Sequence, residues 1–294
     1  FIETYGTPIY TIGSGGSGGS MQQHQIAANY PGLLDGIIPN RSFPDIISTI
    51  DVLTDCELID HYFSTTTTTW TDAQKSAAAG VKAISYCANG ARYPNLHASN
   101  CNNAVAKDAV YDPVKNRGGA RCTYQDNMVN VYGRDARTGV ARRPFDNVGV
   151  QYGLAALNAG TISKEQFLDL NEKIWGFDID GNIVAERMVA DPLATRAAYR
   201  TGRLNQAMGG LGSVPIIDYR TYYDDLPMGD VHMRFQTFSM DARLKKGTGT
   251  TDNRVMLTQD RRYGDFRLTS PVLREALGQM DQWLTALSKD ASND

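Results

Sequence analysis

The sequence predicts an α/β fold built on a parallel sheet. Three observations carry this. The apolar run at residues 8–12 leads through a glycine-rich stretch into a helical segment at 20–29, and a second apolar run follows at 33–38. Much further on, residues 214–220 and 254–258 read as two more strands, with a helical segment at 230–245 between them. A last segment, 270–287, has the apolar spacing of an amphipathic helix, with Ser270 as N-cap and Pro271 at its first helical position. Short apolar runs alternating with helical segments are the pattern of buried parallel strands joined by crossover helices.

The first strand is read at residues 8–12, where Ile9, Tyr10, Thr11 and Ile12 favour extended backbone. Gly15-Gly16-Ser17-Gly18-Gly19 follows and matches G-x-S-x-G, the motif that sets a serine on a sharp strand-to-helix turn. Side chains two residues before and two after that serine would collide as the helix passes the strand. Gly15 and Gly19 fill those positions. The helix start after Ser17 supplies unpaired N–H groups and the positive end of a dipole. Gly18 N–H is therefore the expected oxyanion donor. A flexible Gly/Ser linker has this composition too, but a linker is not framed by an apolar strand and an apolar-faced helix. A phosphate loop would need a P-loop lysine or the dinucleotide glycine spacing, and neither is present.

The chain has 294 residues, enough for one large or two modest domains. A net charge of −3 gives no argument for nucleic acid or an anionic surface as partner. No apolar run is long enough to span a bilayer. The four cysteines, Cys56, Cys87, Cys101 and Cys122, contain no C-x-x-C pair, which argues against a zinc or redox site and for disulfides. Of the three pairings, Cys56–Cys87 with Cys101–Cys122 is preferred. An oxidising compartment follows, so the expected location is secreted or periplasmic.

Three regions are expected: residues 1–44 and 211–294 forming the sheet, and 45–210 an insertion of helices and polar loops. Helices are read at 72–81, 148–158, 161–174 and 191–201. Asp178-Ile179-Asp180-Gly181-Asn182 resembles part of a calcium loop but lacks the distal Glu, and is read as a β-turn. Trp70, Trp175 and the tyrosines are read as packing, with an aromatic or polymer pocket as the alternative. The threonine run 65–69 carries no chemistry that the sequence assigns. No cofactor or metal is expected.

Ser17-Gly18-Gly19, the glutamines Gln22 and Gln23, Tyr30-Pro31 and Asp35-Gly36-Ile37 together resemble the α/β-hydrolase superfamily, and within it secreted esterases of the tannase and feruloyl-esterase type. A group of large secreted bacterial hydrolases is more similar still. It shares the pattern at residues 29–36, Asp146-Asn147-Val148-Gly149-Val150-Gln151-Tyr152-Gly153-Leu154, and Ile217-Asp218-Tyr219-Arg220. The resemblance implies an α/β-hydrolase sheet represented by its strands 5 to 8, with 45–210 as a large, mainly helical lid. It also implies that the first strands and a second oxyanion donor come from an N-terminal part of the same precursor. Tannase-type enzymes pair a cysteine beside the nucleophile with one beside the histidine. Gly16 stands at that place, so that disulfide is not expected.

A serine hydroxyl needs a base, and the base needs an orienting carboxylate. There are four histidines. His24 lies in the helix after the turn, and His61 and His97 lie in the insertion. His232 follows the strand at 214–220, on the edge where parallel strands deliver catalytic groups, and is the expected base. The resemblance puts an acid after the seventh strand and a histidine after the eighth. Here no histidine follows the eighth, and Asp260 stands there instead. Asp224 is the first choice of acid, with Asp230, Asp260 and Asp225 as alternatives. Asp230 is also well placed to cap a helix.

The expected function is a serine hydrolase that cleaves carboxylic esters through an acyl-enzyme, with aromatic or oligomeric esters as the candidate substrates. An amidase or peptidase with the same nucleophile is one alternative. A non-catalytic binding module on the hydrolase scaffold is the other.

Overall fold

The computed structural model describes residues 2–90, 97–227, 230–264 and 270–289. The chain divides into two compact units. The first holds residues 1–49, 201–225 and 230–294, and the second holds 50–200 and 226–229. Among the described residues the strands are β1 (Ile12–Gly16), β2 (Gly36–Asn40), β3 (Gly176–Phe177), β4 (Ile183–Val184), β5 (Ile216–Thr221) and β6 (Arg254–Gln259).

The first unit is a three-layer α/β structure. Its sheet runs in the order β1-β2-β5-β6, and every pairing is parallel. The two central strands, β2 and β5, are buried along their whole length because both faces of the sheet are covered there, whereas the edge strand β6 leaves Val255 and Met256 exposed. Ile37 and Ile216 face one layer, with Ala27 of the helix Gly18–Asn29 and Met240 and Leu244 of the helix Phe235–Thr248. Ile38 and Ile217 face the other, against Leu273, Ala276, Met280 and Leu284 of the helix Pro271–Lys289. That helix comes so close that a Cβ on Gly36 would sit 2.5 Å from the Met280 sulfur. Being parallel, all four strands end at the same edge of the sheet.

Two elements differ from expectation. The first strand is not at 8–12 but at Ile12–Gly16, and runs through the glycines themselves. Pro8 has no N–H to give a ladder, and pairing starts only at Ile12↔Gly36. A Cβ on Gly13 would meet Leu34, Gln23 and Ile37 within 3.3 Å, so close packing on both sides selects glycine inside the strand. The helix expected at 230–245 begins at Phe235, with Arg234 as N-cap. Asp230 caps no helix, because its carboxylate accepts from His232 instead.

The second unit has its own core, with Leu58, Ile59, Tyr62, Trp70, Leu170 and Ile174 among its buried members. Two of its helices start on sequence-local caps. Thr71 and Ser163 each form a capping box, with Gln74 and Gln166 respectively. The expected helix at 148–158 shrinks to Leu154–Asn158. Both disulfides lie in this unit, paired as preferred: Cys56–Cys87 and Cys101–Cys122. The threonine run has a structural role, since Thr66 and Thr68 hydroxyls donate to Asp169 at 3.0 Å. Asp178 accepts from the Asp180 and Asn182 backbone N–H groups and closes the turn before β4. No described helix is long and apolar enough to cross a membrane.

Candidate active site

Ser17 stands at the end of β1, where the chain turns into the helix Gly18–Asn29. Its backbone is at φ 53°, ψ −114°, a left-handed conformation that costs a non-glycine residue free energy. Four hydrogen bonds hold it there. Its N–H donates to Asn40 O at 2.9 Å, at the end of β2. Its carbonyl accepts from the N–H groups of Ser20 and Met21, and from the Ser20 hydroxyl at 2.6 Å. The Ser20 hydroxyl in turn accepts from Phe43 N–H.

Of the two flanking glycines only Gly15 is sterically required; a Cβ on Gly19 would meet nothing within 4 Å, so the collision expected there does not occur. A Cβ on Gly15 would approach the Gly19 Cα to 3.3 Å. Gln23, buried one turn further along, closes the turn from the side. Its Nε2 donates to Gly15 O at 2.9 Å and to Gly19 O at 3.1 Å. One carboxamide thus clasps the carbonyls two residues before and two residues after Ser17.

His232 Nε2 lies 3.0 Å from Ser17 Oγ. On the other side of the ring, Nδ1 lies 2.7 Å from Asp230 Oδ1. The same carboxylate oxygen accepts the His232 backbone N–H, also at 2.7 Å. Phe43 packs against the imidazole with ring centroids 5.2 Å apart. Burial alone would raise the Asp230 pKa. The hydrogen bonds from the His232 ring and backbone outweigh it, helped by electrostatic attraction to His232 and Arg41, and hold it below the usual carboxylate value. The Asp230 carboxylate is therefore charged near neutral pH, and Nδ1 carries the proton that faces it. This leaves Nε2 free to accept a proton from Ser17.

The other aspartates are engaged elsewhere. Asp224, the first-choice acid, is not at the imidazole: it accepts from Arg234 Nε at 2.7 Å and from Arg234 N–H at 2.9 Å. Asp225 pairs with Arg261 at 2.8 Å. Asp260 caps the short turn Arg261–Tyr263. The remaining histidines have other surroundings. His24, in the helix Gly18–Asn29, is fully buried, and burial pushes its pKa down to about 4. His61 packs on Trp175, and His97 Nε2 is 3.6 Å from Glu57. Gly18 opens its helix, so its N–H has no acceptor within the helix. Among the described residues no group of three or more His, Cys, Asp or Glu side chains is arranged to hold a metal ion.

The sequence reading passed over Ser20 and Phe43, which brace the turn and the imidazole. Their only signal was position, just after a predicted turn and a predicted strand.

A strained serine, an imidazole and a carboxylate in hydrogen-bonded sequence, on the carboxyl edge of a parallel sheet, form a constellation suited to acyl transfer. The chain belongs to the tannase-like family of unknown function (DUF6351), which matches residues 1–294. The resemblance to tannase-type hydrolases read from the motifs holds at this level. No curated protein matches the sequence. Among solved structures, esterase E22 in its L374D mutant form is 16% identical, with a TM-score of 0.32, covering 96% of this chain and 63% of that one. An esterase from Aspergillus oryzae is 12% identical with a TM-score of 0.32, covering 85% of this chain and 50% of that one. The chain spans less than two thirds of the length of either esterase.

Proposed function

We propose that this chain carries the catalytic centre of a serine hydrolase acting on carboxylic esters. The observation that carries the reading is the 3.0 Å approach of His232 Nε2 to the oxygen of a backbone-strained Ser17, with Asp230 on the far side of the ring. Membership of a tannase-like family supports an ester as the scissile group.

The roles follow from the chemistry. Ser17 Oγ attacks the ester carbonyl carbon while its proton passes to His232 Nε2. Asp230 keeps Nδ1 protonated and offsets the positive charge of the imidazolium. Gly18 N–H donates to the oxyanion of the tetrahedral intermediate. Collapse breaks the bond to the leaving oxygen, which takes the proton from Nε2 and departs as an alcohol. Water then repeats the sequence on the acyl-enzyme, releasing the acid and restoring Ser17. No step needs a cofactor. The two disulfides support a secreted or periplasmic setting.

The test is covalent labelling of the intact protein with a fluorophosphonate, together with hydrolysis of p-nitrophenyl acetate. Labelling confined to Ser17, and loss of both labelling and hydrolysis in Ser17→Ala and His232→Ala, is the expected result. Absence of labelling in folded wild-type protein, or labelling that survives Ser17→Ala, overturns it.

A further inference from the structure

Arg220 is an unusual residue for the middle of a sheet. It sits in β5 between Tyr219 and Thr221 with no exposed surface, and is among the largest fully buried side chains described. A buried guanidinium is costly unless its N–H groups are satisfied. If this position required only volume, methionine would serve it.

The hydrogen bonds of Arg220 explain its presence. Nη1 donates to the carbonyls of His232 at 3.0 Å and Met233 at 2.7 Å. Nη2 donates to the carbonyl of Ser42 at 3.0 Å and to its hydroxyl at 3.1 Å. Ser42 is itself fixed, since its hydroxyl bonds Asp218, whose charge is paired with Arg254 at 2.7 Å. Two residues before Ser42, the Asn40 carbonyl receives the N–H of Ser17. One planar fork therefore ties the backbone that carries the imidazole to the segment, residues 40–42, that holds the serine.

We infer that Arg220 is the positioning residue that sets His232 at hydrogen-bond distance from Ser17; this rests on the serine-hydrolase reading above. The imidazole reaches Ser17 from a loop, not from a strand or helix. Its position is only as good as the anchorage of the backbone at 232–233. A displacement of about 1 Å at a reacting pair can cost about 100-fold in rate. Lysine keeps a charged donor but not the planar fork, so it can hold only part of the two-segment link.

The experiment compares wild type, Arg220→Lys and Arg220→Met in the intact protein. The readouts are the rate of fluorophosphonate labelling at Ser17, kcat and KM for p-nitrophenyl acetate, the melting temperature, and the downfield proton NMR signal of His232 Nδ1–H. Arg220→Met is expected to lower kcat and labelling rate by about 100-fold while KM moves by less than about three-fold. Arg220→Lys is expected to recover part of that loss, and the Nδ1–H signal to shift in both. A folded variant with wild-type labelling rate and an unmoved signal overturns the inference. If Arg220→Met does not fold, Arg220→Lys decides by the same criterion. Failure of both to fold makes Arg220 a determinant of the fold instead, and also overturns it. Wild-type protein that is not labelled at all removes the hydrolase reading and this inference with it. Labelled wild type with unaffected variants removes the inference alone.

Discussion

Asp230 and His232 are two residues apart, and a single carboxylate oxygen of Asp230 accepts both the ring Nδ1–H and the backbone N–H of His232. The acid and the base therefore come from one tight turn. The carboxylate orients the imidazole from its own backbone outward, which fixes ring and main chain together.

This arrangement separates Asp230 from Asp224 by experiment. Asp230→Asn keeps the shape but offers an amide where a carboxylate stabilised the imidazolium. It should lower kcat by about 10³- to 10⁴-fold with the protein still folded. Asp224→Asn weakens a partly exposed pair with Arg234, worth at most about 1 kcal/mol, and leaves the imidazole's partner in place. Steady-state hydrolysis by the two variants checks this. Comparable losses in both would mean that Asp230 has no special part.

The contrast also marks what the residues alone can tell. Ser17 was legible because its signal is local: a serine inside a glycine-rich strand-to-helix junction, with Gly15 where the helix passes close. His232 was legible by elimination among four histidines and by its place after a strand. The acid was not, because Asp224, Asp225 and Asp230 lie within seven positions and each can accept hydrogen bonds. The choice among them is made by Arg234 and Arg261, which occupy Asp224 and Asp225. Charges that meet only after folding leave no pattern along the chain. The start of β1 was hidden for a different reason. Glycine has low strand propensity, yet here close packing selects it, so tertiary contact overrides the local preference. The long helix Ile46–Thr65 escaped notice because its apolar residues do not keep to one face.

Strain at Ser17 has a measurable consequence. Its φ of 53° lies where glycine is at ease and alanine is not. Ser17→Ala keeps the strain, whereas Ser17→Gly releases it. In most positions glycine is the less stable of the two by about 0.5–1 kcal/mol. At Ser17 the order should reverse, with Ser17→Gly more stable than Ser17→Ala by about 1 kcal/mol. Urea unfolding of the two inactive variants gives the comparison. The ordinary order, alanine above glycine, would argue that the turn is not strained.

The disulfides close loops with sequence separations of 31 and 21 residues. Chain-entropy arguments put the contribution of each at about 3 to 4 kcal/mol. Replacing either pair by serines should lower the melting temperature, the longer loop slightly more. Scanning calorimetry of Cys56→Ser/Cys87→Ser and Cys101→Ser/Cys122→Ser decides. Intact-mass measurement after alkylation without reductant should find no free thiol in the wild type. Alkylation at any of the four cysteines would contradict the pairing.

His24 makes a prediction about pH. It is buried, and desolvation holds its pKa down to about 4, against the pull of the Asp218 charge. Its unfolded value is about 6.5. Below that value the unfolded chain takes up a proton that the folded chain refuses, so stability falls as pH drops from about 6.5 to 4. The loss from this group reaches roughly 3 kcal/mol once both states are protonated. Asp55 acts in the opposite sense. Burial raises its pKa to about 6, outweighing the Tyr152 hydrogen bond and the Arg187 charge, so its penalty is relieved as pH falls through that value. The wild-type slope therefore mixes the two, and only a difference isolates His24. His24→Asn removes the titration while keeping a polar side chain. Between pH 7 and pH 4.5 its unfolding free energy should fall less steeply than that of wild type. Parallel slopes in the two proteins would show that His24 takes up its proton as easily in the folded chain as in the unfolded one.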